Sequence, residues 1–353
     1  MLRRRKANNT ANIYDVAREA KVSVFTVSTV INKRGQVSPP LQRRVDAAIQ
    51  KLNYRPNLLA RGLAKSRTHT IGIVVPDISN PFFPLVVRGV EDVTQKHGYS
   101  VLLCNSDDRH DKEELYLELL LSKRVDGILL CKAPGAINSR LRQALSDARI
   151  PIVLLDRTCP SLSKDAVATD DQRGAFEAVS HLARLGYRKI ALVGGPLNVS
   201  SGRARWRGYR RALKENGLRY DSDLVFEGNY RIDSGYRAGL ALLPRRPEAV
   251  FVANYLMTVG FMKAAQELGM RCPEDFGLVS VDDFPWLGCF QPRLSTVDLP
   301  KYEMGAVAAE LLLDRLSGKR VPMGLRRLAP QLLVRESCGF KLRLQEPVVA
   351  KAE

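Results

Sequence analysis

From Ile71 onward the chain repeats one alternation, and that alternation limits the folds open to it. Short apolar runs (IGIVVPDI, VLLCNS, DGILLC, PIVLLD, KIALVGG, LVFEGNY, AVFVANY, GLVSVDD) are separated by longer amphipathic stretches of helical character. Runs that are apolar at nearly every residue belong to strands buried on both faces. A strand–helix–strand order supplies the helices that cover both faces of a parallel sheet. Eight such strands exceed one sheet of ordinary size, so two α/β lobes are expected. The division falls near Ala166, with a crossover back near Ser295–Pro300. A ligand of such a fold sits at the carboxyl ends of the strands, here between the lobes.

The segment up to about residue 58 has a different texture. IYDVAREA places Ile13, Val16, Ala17 and Ala20 on one helical face. Ser23 is placed to cap a second helix, VFTVSTVINK, whose inner side holds Val24, Val27, Val30 and Ile31. After RGQVSPP, the stretch PLQRRVDAAIQKLNY forms a third helix packing Leu41, Val45, Ala48, Ile49 and Leu52. Three short helices with a tight turn between the first two make a helix-turn-helix unit. YRPNLLARGLAKSRTHT then links it to the rest, with one helix-capable stretch at Asn57–Ala64.

Charge gives this small module a partner. The 353 residues carry a formal charge of +18, and residues 1–68 hold fifteen Lys/Arg against only Asp15, Glu19 and Asp46. About two-thirds of the excess charge therefore lies in one-fifth of the chain, a distribution suited to a polyanion such as nucleic acid. No apolar run approaches the ~18 residues that cross a bilayer, and the basic start MLRRRKANNTAN is followed by no apolar stretch. Cysteines 104, 131, 159, 272, 289 and 338 are scattered without CxxC spacing, which fits reduced thiols in a cytoplasmic protein. His69, His97, His110 and His181 show no metal-ligand spacing. GGPLNVSSGR lacks both phosphate-loop signatures, and no GxSxG elbow is present. The expectation is a protein that binds rather than catalyses, without cofactor or metal.

Three long segments carry a resemblance: IYDVAREAKVSVFTVSTVINKRGQVSP, YRPNLLARGLAKSRTHTIGIVVPDISNPFF and VSVDDFPWLGCFQPRLSTVDLP. Together they resemble the lactose- and galactose-repressor family of bacterial regulators, over nearly the whole chain from about Ile13 to Ser337. The resemblance implies an all-α helix-turn-helix headpiece (1–56), a hinge helix and linker (57–69), and a two-lobed α/β core of the periplasmic-binding-protein type (70–340) before a short tail. It also implies a homodimer on a pseudo-palindromic DNA operator, nucleoid-associated when bound. The tail GFKLRLQEPVVAKAE has no heptad pattern and is broken by Pro347, so a tetramer is not expected.

The second helix of such a headpiece enters the major groove. Val24, Phe25 and Thr29 match the family's base-contacting positions, and two apolar residues there favour thymine methyl groups. Ser23, Thr26, Ser28 and Asn32 are placed for phosphates, a role that Tyr14, Lys33 and Arg34 share. The competing reading puts Val24 and Phe25 in the core. Thr29 stands where many relatives carry Arg, so a bidentate guanine contact is absent there. Lys21 occupies a turn position where Gly or Asn is usual. In the hinge the resemblance assigns Asn57, Ala60 and Leu63 to DNA, with Leu63 wedging into the minor groove.

The larger domain offers a set of residues suited to a sugar, whose weakly apolar faces want rings and whose hydroxyls want charged donors and acceptors. Strand ends supply Asn80, Phe82 and Phe83, then Asp156 and Arg157, Arg205, Asn254 and Asp282, with Tyr230 as a further ring. Their order looks like that of the pentose-binding periplasmic proteins. Tyr255 stands where Asp is common, and Asp298, also assigned to the pocket, where Gln is typical. The expected effector is a neutral monosaccharide, a pentose such as ribose first. A purine is the runner-up, and a sugar-binding transport protein, disfavoured by the basic headpiece, is the alternative class.

Overall fold

The computed structural model describes residues 11–31, 37–54 and 67–343. The chain divides into two units between Thr68 and His69. In the first, α1 (Ile13–Ala20), α2 (Val24–Ile31) and α3 (Pro39–Lys51) enclose a small core of Val16, Ala17, Ala20, Val27, Val45 and Ala48. Asn12 caps α1 in a capping box: its side chain accepts from the Tyr14 and Asp15 amides, and Asp15 accepts from the Asn12 amide. Pro39 and Pro40 open α3, where their missing amide hydrogens would have no helical partner.

The second unit runs, in order, β1 (Thr70–Val75), α4 (Phe82–Lys96), β2 (Ser100–Asn105), α5 (His110–Ser122), β3 (Gly127–Leu130), α6 (Ser139–Asp147), β4 (Ile152–Leu155) and β5 (Ala166–Thr169). It continues with α7 (Asp171–Arg184), β6 (Ile190–Gly194), α8 (Ser200–Glu215), β7 (Val225–Glu227), α9 (Ile232–Leu242), β8 (Ala249–Val252), α10 (Tyr255–Glu267) and β9 (Gly277–Val281). Last come β10 (Ser295–Asp298), α11 (Lys301–Leu316), β11 (Leu325–Leu328), β12 (Gln331–Leu333) and α12 (Phe340–Arg343).

These strands form two six-stranded sheets, ordered β11-β5-β4-β3-β1-β2 and β12-β10-β9-β8-β6-β7. Every pairing is parallel except β10 with β12. Two lobes therefore stand as the apolar runs predict, and β1, β3, β6, β8 and β9 are buried along almost their whole length.

The connections differ from the sequence reading in number. Ala166 opens the last strand of the first lobe before the crossing, and the chain passes over between Thr169 and Asp171. It returns between Asp298 and Lys301, then crosses a third time between Leu328 and Gln331. The third crossing escaped the reading because LRRL and QLL are short edge strands without an apolar run. Asp156 and Asp282 directly follow β4 and β9, and Asn254 follows β8 by two residues, so the fold delivers all three to the strand ends.

Candidate functional site

The exposed face of the headpiece begins at the α1–α2 turn. Lys21 takes left-handed backbone angles (φ 51°, ψ 48°) while its amide bonds back to the Ala17 and Arg18 carbonyls. A side chain in this region costs on the order of 1 kcal/mol. Lys21→Gly is therefore expected to stabilise the headpiece by about 0.5 kcal/mol, the relief being partly offset by the freer unfolded chain. Amide exchange of α1 and α2 in the whole chain would measure this, and faster exchange would contradict it.

Ser23 caps α2 by accepting from the Thr26 amide at 3.1 Å, and the two hydroxyls meet at 2.9 Å. Phe25 is 80% exposed and Tyr14 66%, so neither belongs to the core. Val24 is intermediate, packing partly against the headpiece core as its place in the inner stripe requires. The Thr29 hydroxyl donates to the Phe25 carbonyl at 2.8 Å, which leaves its methyl group and an acceptor lone pair for a partner. Asn32, Lys33, Arg34, Asn57, Ala60 and Leu63 lie outside the described residues.

In the second unit one cavity gathers Asn80, Phe82, Phe83, Asp156, Arg157, Arg205, Tyr230, Asn254 and Asp282. Asp298 is not brought there. Its carboxylate accepts from Lys301 Nζ at 2.6 Å, and that buried lysine also lies 5.2 Å from the Phe284 ring centre. The cavity wall includes Asp108, Ser201, Asn229 and Arg231, which the sequence reading missed. Asp108 lies three residues beyond β2, near the same ends of the strands, so the strand-end rule already pointed to its loop.

The two arginines are fixed in different ways. Arg157 is held bidentately by Asp108, with Nη2 to Oδ2 at 3.1 Å, and Nη1 also donates to the Lys132 carbonyl at 3.1 Å. Arg205 donates from Nε to Asp171 Oδ1 at 2.9 Å and from Nη1 to the Ala253 carbonyl, and its Nη2 stands in ion-pair contact with the same carboxylate oxygen at 2.8 Å. Asn254 uses both ends of its amide internally: Oδ1 caps α10 at the Met257 amide and Nδ2 donates to the Tyr230 carbonyl at 2.9 Å. Phe82 and Phe83 meet edge to face, centroids 5.0 Å apart. Two bonds tie the lobes together beside the cavity: the Thr158 amide to Ser200 Oγ at 2.8 Å, and Arg231 Nη2 to the Asp107 carbonyl at 3.0 Å.

Against this satisfied framework a few atoms stand out. Asp156 Oδ1, Arg157 Nε and Asp282 Oδ1 are buried with no hydrogen-bond partner among the described residues. Burial pushes the Asp282 carboxyl above its ordinary value, opposed by Lys301 and Arg205. Burial also raises the Tyr230 phenol. Asp108, Asp156, Tyr230 and Asp282 all adopt positive φ, at 60°, 59°, 65° and 79°. Orphaned polar atoms and left-handed backbone each cost on the order of 1–3 kcal/mol, and they cluster where a ligand completes the structure.

Among the described residues there is no group of three or more His, Cys, Asp or Glu able to hold a metal, and no helix long and apolar enough to cross a membrane. All six cysteines are free thiols.

A helix-turn-helix unit joined to a ligand-binding domain of this architecture is a ligand-controlled transcriptional regulator. Residues 12–57 match the model of the bacterial regulatory proteins of the lacI family, and residues 179–338 match that of the periplasmic binding protein-like domain. The chain is 37% identical over 328 residues to catabolite control protein A of Priestia megaterium, covering 92% of this chain and 98% of that one. It is 36% identical to the ribose operon repressor of Halalkalibacterium halodurans, with 92% and 96% covered. Among solved structures, the lac repressor dimer bound to operator and the anti-inducer ONPF superposes with a TM-score of 0.82 at 28% identity, covering 93% and 99%. The chain belongs to the lacI family: it is a DNA-binding transcriptional regulator with a small-molecule effector domain.

Proposed function

We propose that this regulator works as a homodimeric repressor on a pseudo-palindromic operator, and that its effector is a neutral monosaccharide held in the cavity between the lobes. The observation that carries the effector reading is the pair of unpartnered carboxylate oxygens, Asp156 Oδ1 beside the first sheet and Asp282 Oδ1 beside the second. Both demand donors from one ligand. A polyol supplies them in several directions, whereas a phosphate or carboxylate would bring further negative charge against two bare acceptors. Phe82, Phe83 and Tyr230 offer the apolar surface that a sugar face covers. The edge-to-face geometry of the two phenylalanines offers no parallel slot for a planar base, which ranks a purine second. A relative named for the ribose operon makes a pentose the first sugar to test.

On the DNA side, exposed Phe25 reads thymine methyl groups with Thr29 beside it. Calorimetry with pentoses, hexoses and purines tests the effector reading. Saturable purine binding with no response to any sugar would sink it. Equal affinity for palindromic and scrambled duplexes, measured by fluorescence anisotropy, would sink the operator reading.

A further inference from the structure

Arg205 owes its place at the cavity to a residue outside it. Asp171 opens α7 directly after the first crossing between the lobes, and it is buried without lining the cavity. A guanidinium carries five N–H bonds in one plane. Asp171 takes that of Nε and pairs with Nη2 through the same oxygen, and the Ala253 carbonyl takes one on Nη1. That fixes the plane of the group and leaves its remaining N–H bonds for the cavity. The charges facing Asp171 are Arg205 on α8, Asp156 after β4 and Asp282 after β9. Arg205 also feels the charges of Asp282 and Asp156, the carboxylates with unpartnered oxygens. Freed from Asp171, the arginine would turn to them and occupy the acceptors that a ligand needs.

We propose that Asp171 is a positioning residue of the effector site: without touching the ligand, it holds Arg205 off Asp156 and Asp282 and ties it to the crossing between the lobes. This rests on the cavity being the effector site.

The test uses the whole chain as wild type, Asp171→Ala, Asp171→Asn, Arg205→Ala and the Ala/Ala double variant. Each is titrated calorimetrically with D-ribose, D-xylose and D-glucose. In parallel, exchange of the Arg205 Nε proton is followed by proton–nitrogen NMR in ligand-free protein, the signal being assigned by its loss in Arg205→Ala. Asp171→Ala is expected to weaken binding of the sugar that wild type takes by ~10-fold or more, and Asp171→Asn, which keeps the shape and an acceptor, to restore part of it. In the Arg205→Ala background the Asp171→Ala change should alter affinity by less than about twofold, since the two act as one unit. The Nε proton should exchange slowly in wild type and fast in Asp171→Ala. A full Asp171→Ala effect persisting without Arg205, or an Nε proton equally protected in Asp171→Ala, would overturn the proposal. If wild type takes none of the sugars, the effector reading fails, and the Nε proton still decides the role of Asp171.

Discussion

Gly305→Ala is expected to destabilise the regulatory core by about 3 kcal/mol, a large share of the 5–15 kcal/mol that holds a typical domain folded. A Cβ at Gly305 would lie 1.9 Å from the Val86 carbonyl oxygen and 3.0 Å from the Val90 nitrogen. Reciprocally, a Cβ at Gly89 would lie 2.1 Å from the Tyr302 carbonyl oxygen. The obstacles are backbone atoms of the facing helix, so α4 and α11 must separate rather than rotate a side chain. Alanine's better helix propensity returns only about 1 kcal/mol. The damage reaches the site as well, because α4 begins at Phe82 in the cavity wall and α11 begins at Lys301 beside the second crossing. Denaturant unfolding should show the midpoint shift, with Gly288→Ala as control, since nothing lies within 4 Å of a Cβ there. Equal stability of the two variants would contradict the close-crossing account.

Burial explains which parts of this architecture can be read in the sequence. Strands such as β3 and β8 are covered on both faces, so every residue had to be apolar or small, and they stand out as runs. AVAT, STVD, LRRL and QLL gave no such signal. Half of β5 is alanine, and the edge strands β11 and β12 have no buried residue. Asp156, Asn254 and Asp282 were legible because strand ends are marked by the apolar runs that precede them. The partners of Arg157 and Arg205 were not. Asp108 meets Arg157 49 residues away and Asp171 meets Arg205 34 residues away, pairings that only the folded sheets create. Asp298 shows the opposite failure: a lysine three residues on claims its carboxylate, and no pattern of residue types along a strand reveals that competition. Val24 was ambiguous for a physical reason, since it sits at the margin between the inner stripe of α2 and its exposed face.

Asp282→Asn is expected to move stability and effector affinity in opposite directions. The wild-type carboxylate is buried, has one oxygen without a partner, and receives only a long 3.5 Å bond from the Tyr255 amide. Replacing it by a neutral amide of the same shape removes the cost of burying that charge, and the ligand-free protein should gain roughly 1–3 kcal/mol at neutral pH. Asparagine tolerates the left-handed φ of 79° at this position, so the backbone need not move. The sign with pH follows from the direction of the shift. Burial raises the folded-state value of Asp282 above its unfolded value, so the group disfavours folding at neutral pH, and the penalty fades as pH falls through the raised value. The stability advantage of the variant should therefore shrink on acidification and vanish once the wild-type carboxyl is protonated. Effector binding loses a charge-assisted hydrogen bond, worth about 1.5–3 kcal/mol, and should weaken by roughly 10- to 100-fold. Operator binding without effector should be unchanged, because α2 lies in a separate unit of the chain. Thermal unfolding at several pH values, calorimetry with the sugar, and operator anisotropy on the one variant decide it. A variant less stable than wild type at neutral pH, or one that binds sugar as tightly, would show that Asp282 is a structural group and not an acceptor kept free for the ligand.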